Sequence, residues 1–140
     1  MRPTLISLTL ASCAAALVAA CTPDEMPVAS DGRALFMENC AICHGADAKG
    51  DGPMARAMAK APPDLTLISV RNGGTFPAVK VLSTIDGYTK TSLSGPDMPE
   101  FGGLLEGDLV PLDTGDGVLT PTPRKLVALL DYIESIQATR

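Results

Sequence analysis

The chain has 140 residues and a formal net charge of −5, and its only large aromatics are three Phe and two Tyr. That length suits a single domain with a modest core, and the acidic balance gives no electrostatic basis for binding nucleic acid. A core of Ala, Leu, Val, Ile and Met alone is thin for this length, so a non-protein group is a candidate to fill the middle.

Residues 1–20 carry one charge, Arg2, followed by an apolar run from Leu5 to Ala20 that holds no acid. This is the pattern of a secretory signal peptide, and the run is short for a bilayer span of about 20 residues. The stretch "LVAAC" resembles the bacterial lipobox, in which the cysteine is lipidated and becomes the first residue. Cys21 is therefore the expected lipid attachment site, with simple cleavage or a retained anchor helix as the alternatives. The expected location is the periplasmic side of a bacterial membrane. Cys13 would leave with the leader. What remains holds sixteen acids against ten basic residues, since only Arg2 is lost. Residues 22–30, "TPDEMPVAS", read with Cys21 as a tether, which leaves 31–140 as the domain.

From Asp31, "DGRALFMENCAICHG" puts Leu35, Phe36, Cys40 and Cys43 on one side of a helix capped by Ser30 or Asp31 and stopped at Gly45. "GADAKGDGP" is a glycine-dense loop, and "PMARAMAKA" is a short helix ended by Pro62 and Pro63. A further helix starts near Phe76 or Pro77 and ends at Gly87. Residues 88–120 show no period and hold six glycines and three prolines, which reads as a functional loop. In "TPRKLVALLDYIESIQ", Thr122 is the expected N-cap and Pro123 the first helical residue, with an apolar stripe of Leu126, Leu129, Leu130, Ile133 and Ile136. No alternation runs long enough for a sheet, so the expected class is all-α.

The chemistry lies in "CAICHG". Cys40, Cys43 and His44 form a C-x-x-C-H pattern, and His44 is the chain's single histidine. This is the attachment pattern for c-type haem. Two thiols add across the two porphyrin vinyl groups, two intervening residues set their spacing, and the adjacent histidine reaches the iron. The competing readings fit less well. A structural zinc site needs four ligands, usually in two separated pairs. A thioredoxin-like pair sits in a βαβ context. A Cys40–Cys43 disulfide closes a very short loop and leaves His44 unexplained.

With these residues in this order, the chain resembles the class I cytochromes c of the bacterial periplasmic branch, from Gly32 to Gln137. Gly32 and Phe36 match the first helix of that family, Tyr132 the aromatic of the last, "PPDL" at 62–65 its proline-x-leucine turn, and "MPEFG" at 98–102 its methionine loop. The resemblance implies a small fold in which the N- and C-terminal helices pack across each other around one covalent haem c, with long loops. It implies that His44 and Met98 ligate the iron, and that the carbonyl of Pro63 accepts a hydrogen bond from the other His44 nitrogen; neighbouring Pro62 is the alternative. Counting donors points to Met98 as well. No second histidine exists, Met26 lies in the tether, Met37 shares the helix of His44, and Met54 and Met58 follow the motif closely. The other reading of Met98 is a packing residue. Arg71 and Asn72 are candidates to hold a haem propionate, against the plainer reading of a solvated loop.

The function so implied is electron transfer by a non-enzymatic carrier, with redox proteins as partners and the membrane reached through the lipid anchor. Six acids between Asp97 and Asp116 (Asp97, Glu100, Glu106, Asp108, Asp113 and Asp116) and no Lys or Arg suggest a partner with a basic docking face. The alternatives are a haem-bearing subunit of an oxidase or dehydrogenase complex, and a haem enzyme or gas binder with an open sixth site.

Overall fold

The computed structural model describes residues 25–88 and 98–139; the leader, Cys21 and Asp97 lie outside the described residues. Helix α1 (Ala29–Asn39) starts after Val28, whose extended backbone ends the incoming strand of chain. Asp31 works three positions inside the helix: its carboxylate accepts from the Val28 N–H at 3.3 Å, while its own N–H donates to the Val28 carbonyl at 2.9 Å. The acid satisfies an otherwise orphaned donor and opposes the positive end of the helix.

Helix α6 (Arg124–Ser135) crosses α1, and Gly32 makes the crossing possible. A Cβ on Gly32 would sit 1.8 Å from the Ala128 carbonyl oxygen and 2.8 Å from the Tyr132 Cβ. One turn on, the rings of Phe36 and Tyr132 meet with centroids 5.2 Å apart and planes tilted by 53°. This is favourable aromatic geometry, and both rings are buried. The apolar stripe of α6 lands as its spacing requires: Leu126, Leu129, Leu130 and Ile133 are buried and Ile136 is partly buried.

Helix α3 (Ile68–Arg71) follows a 3-10 turn over Leu65–Leu67 that Asp64 caps. The Asp64 carboxylate accepts from the N–H and hydroxyl of Thr66 at 2.8 and 2.6 Å, and these bonds hold its pKa below the usual carboxylate value. Helix α4 (Ala78–Asp86) follows Pro77 and ends at Gly87, whose φ of 98° closes it in the left-handed region. It buries Val81 and Ile85. Helix α5 (Gly102–Leu105) docks against its end through the bond from Phe101 N–H to the Ile85 carbonyl at 3.0 Å. No helix among the described residues is long and apolar enough to cross a membrane.

Several sequence expectations need correction. The first helix is not capped by Ser30 or Asp31, which lie inside it behind the cap residue Val28. Nor does it run unbroken to Gly45: it ends at Asn39, and Ala41–His44 form a separate turn, α2. The short helix expected at "PMARAMAKA" is only a 3-10 turn over Ala55–Ala57. Thr122 does not cap α6, because it belongs to a strand and bonds the Thr120 carbonyl; Pro123 takes the cap position. The fold is mainly helical but all-α is only approximate. Strands β1 (Leu109–Asp113) and β2 (Leu119–Pro123) form an antiparallel hairpin in the register Leu109↔Pro123 and Pro111↔Pro121. The prolines hid it. In this register they occupy the pairs that exchange no ladder bonds, where a missing N–H costs nothing. The tip is tied by the Asp113 carboxylate, which accepts from Gly115 and Gly117 at 2.8 and 3.0 Å.

Candidate functional site

The C-x-x-C-H turn is held by the loop that follows it. Cys40 closes α1 through its N–H to the Phe36 carbonyl at 2.8 Å, and the His44 N–H returns to the Cys40 carbonyl at 2.9 Å. The carbonyls of Ile42, Cys43 and His44 are then taken by the N–H groups of Met54, Gly52 and Gly50 at 2.9, 3.1 and 2.7 Å. A short helix that would leave its last carbonyls orphaned is thus satisfied by a wrapped loop. Gly52 allows the close wrap: a Cβ there would lie 2.6 Å from the backbone of Ala41, Ile42 and Cys43. The glycine density of "GADAKGDGP" is a packing requirement of the motif.

Beside the motif is a cavity of about 340 Å³. Its apolar walls include Phe36 of α1, Leu65 and Ile68, Val81 and Ile85 of α4, and Leu129 and Ile133 of α6. Cys40, His44, Pro63 and Met98 face the same space. Cys43 is half-buried next to it and is not on the wall. Met98 is the one methionine on the wall among the described residues, and it is partly buried against the core. Of the two prolines, Pro63 borders the cavity; the Pro62 carbonyl instead packs on Gly50, where a Cβ would come within 2.0 Å of it.

The titratable groups are tuned by burial. Burial lowers the pKa of His44, with the Pro63 backbone acting in the opposite sense, so the imidazole stays neutral and keeps a lone pair to donate. The Pro63 backbone acts on the ring without forming a hydrogen bond of normal geometry, and Nδ1 is buried with no partner. Burial, then the neighbouring Cys43, pushes the Cys40 thiol up to about 11. Cys40 and Cys43 are free thiols, not a disulfide. Among the described residues no three His, Cys, Asp or Glu side chains gather to hold a metal ion directly, so the zinc reading finds no support there.

These residues fit a haem. The cavity is within the range of about 300–1,000 Å³ for small-ligand and cofactor sites, and its walls are largely apolar. A neutral imidazole with an unpartnered buried nitrogen, two reduced thiols and a thioether are gathered on or beside one space.

The structure also brings in residues that the sequence reading missed. Lys80 and Thr84 line the cavity together with Pro77, Val81 and Ile85, at the three- and four-residue spacing of one helical face, a signal that was present in the sequence. Arg71 and Asn72 border the cavity too, with Arg71 oriented by a bond to the Asp64 carbonyl at 2.7 Å. Gln137 had no sequence signal. Its amide accepts from the Ser69 N–H at 2.9 Å and donates to the carbonyls of Leu65 and Ile133 at 2.8 and 2.7 Å, tying α6 to the Leu65–Ile68 wall. The acidic run is divided. Glu100 lies near Met98 in the chain and packs beside Gly87, whereas Asp108 is next to the start of α6 and Asp113 and Asp116 are at the hairpin tip.

A family model described as Cytochrome c matches residues 29–110. The comparisons with curated proteins and with solved structures give no match.

Proposed function

The chain belongs to the cytochrome c family, and on that premise we propose that it is a single-haem electron carrier with His44 and Met98 as axial ligands, exported and held at the periplasmic face of a membrane through Cys21. The family's cofactor is covalently bound haem c with its iron, and its work is haem-based electron transfer. When bound, that group supplies one-electron chemistry at iron.

Every other part falls to the chain. Cys40 and Cys43 would hold the group through their two thiols, whose S–H bonds would add across its vinyl groups without net oxidation. His44 offers a nitrogen to the iron, and the Pro63 carbonyl would orient the ring by accepting from Nδ1–H. Met98 supplies a thioether from the wall, and a thioether ligand raises the potential. Phe36, Leu129, Ile133, Val81 and Ile85 keep water away. Arg71 and Lys80, the cations on the cavity wall, would be the residues to hold the two propionates of the bound group. With His44 and Met98 both holding the iron, small molecules would gain no easy access, which would favour carrying electrons over catalysis. The observation that carries this reading is the placement of Cys40, His44 and Met98 on one apolar cavity.

The partners proposed are redox proteins with a basic docking face, on the strength of the net charge of −5 and the exposed acids Glu100, Glu106, Asp108, Asp113 and Asp116. Stopped-flow oxidation of the ferrous protein by a cationic and by an anionic one-electron oxidant tests both the transfer and its steering. The cationic reagent should react faster at low salt and slow as screening shortens to about 8 Å at physiological ionic strength. Glu100→Lys should reduce that advantage while leaving the spectrum unchanged. A ferrous protein that reacts with neither reagent would defeat the carrier reading. Equal, salt-independent rates would defeat only the basic-partner reading.

A further inference from the structure

We propose that the end of the domain where Glu25, Asp108 and Arg124 meet is a bilayer-facing surface, so that the carrier sits on its membrane in one orientation with the C-x-x-C-H end pointing away. The proposal rests on the reading of Cys21 as the lipid-bearing residue.

Three observations carry it. First, the chain is already part of the body by residue 25. The Arg124 guanidinium donates to the Glu25 carbonyl, Pro27 is buried, and α1 begins at Ala29. Of the ten residues 21–30 read as a tether, only four steps of chain separate Cys21 from Glu25, which span at most about 14 Å when fully extended. Second, the same end holds the start of α6 and the start of the hairpin. The Arg124 N–H bonds the Asp108 carbonyl at 2.8 Å, and Leu109 pairs with Pro123. Third, apolar side chains stand exposed there. Met26 is 40% exposed, Val28 52% and Leu109 56%.

A lipid on Cys21 therefore brings this end within a short reach of the headgroups and leaves no long linker about which the domain could turn over. Exposed Met26, Val28 and Leu109 meet the interface at little cost, since each is already an apolar group facing water. Glu25 and Asp108 are balanced at this end by Arg124 and exposed Lys125, so the surface carries no net charge to repel either a zwitterionic or an anionic leaflet. Along α1, eleven residues carry the chain about 16 Å to Cys40, which sets the haem-attachment turn on the outward side.

The test uses the lipidated holoprotein in phosphatidylcholine vesicles that carry a nickel-chelating headgroup. Nitroxide labels are placed one at a time through Met26→Cys, Leu109→Cys, Glu38→Cys and Met54→Cys. The expected result is strong relaxation enhancement by nickel at positions 26 and 109, and values near the vesicle-free level at 38 and 54. Equal enhancement at all four positions, or the reverse order, would overturn the proposal. Immobilisation of labels 26 and 109 in native membranes, with no effect in protein-free vesicles, would assign the surface to a protein and also overturn it. The intact mass of the native mature chain reports separately whether Cys21 bears lipid. If it does not, a maleimide-linked lipid attached to Cys21 of a chain starting there lets the same four labels decide the orientation alone.

Discussion

Replacement of Gly32 by valine is expected to stop the domain from folding, and Gly32→Ala is expected to lower its melting temperature sharply. The first added carbon would stand 1.8 Å from the Ala128 carbonyl oxygen, a backbone atom that cannot rotate away. Relief requires α1 and α6 to separate, and the Phe36–Tyr132 ring contact lies one turn along the same crossing. Whole-domain stabilities are about 5–15 kcal/mol, and overpacking of this kind at a backbone contact belongs to the rare losses above about 4 kcal/mol. Circular dichroism melts of the haem-loaded protein check this. An Ala variant that melts with the wild type would mean that the helices cross elsewhere.

This crossing is expected from the resemblance to the class I cytochromes c, which assigns Gly32, Phe36 and Tyr132 their places. The residues' own pattern carries the last helix, through the helical period of Leu126, Leu129, Leu130 and Ile133. The C-x-x-C-H motif was legible for a different reason: its chemistry fixes both residue type and spacing. Helix α4 announced itself through Pro77 at one end and Gly87 at the other. The remainder depends on long-range pairing. The hairpin contains Pro111, Pro121 and Pro123, which lower strand propensity, and only the register reveals that they sit where no bond is needed. The end of the motif turn at His44 depends on the later loop, which takes the carbonyls of Ile42, Cys43 and His44. Gln137 reaches Ser69 and Leu65 across 68 and 72 residues of sequence, and no local pattern encodes that. The docking of Glu25 on Arg124 spans 99 residues and turns part of an apparent linker into body.

Met98→Ala is the second large effect expected, this time on the chemistry. Among the described residues Met98 alone brings a thioether to the cavity wall, while Met26, Met37 and Met54 are exposed elsewhere. On the proposed ligation, removal of the sulfur would leave the iron with His44 as its one protein ligand. The ferric protein should lose the weak far-red absorption of an iron–sulfur bond, and the ferrous protein should begin to bind carbon monoxide readily. The midpoint potential should fall by an appreciable part of the roughly 0.8 V that the choice of axial ligand spans. Met98 is partly buried, so the fold should lose less than the roughly 2–5 kcal/mol of a fully buried Met→Ala change. Wild-type protein that binds carbon monoxide as fast as the variant would show the sixth position to be open and would favour a gas binder or a haem enzyme.

The haem is expected to be joined to the chain through Cys40 and Cys43, with His44 as a ligand to its iron. The direct measurement is the intact mass of the holoprotein in denaturing solvent after acid-acetone extraction, repeated on Cys40→Ala and Cys43→Ala. The wild-type polypeptide should retain the mass of one haem, and each single variant should hold it by one remaining bond or lose it. A wild-type chain that comes through extraction at its bare polypeptide mass would contradict it.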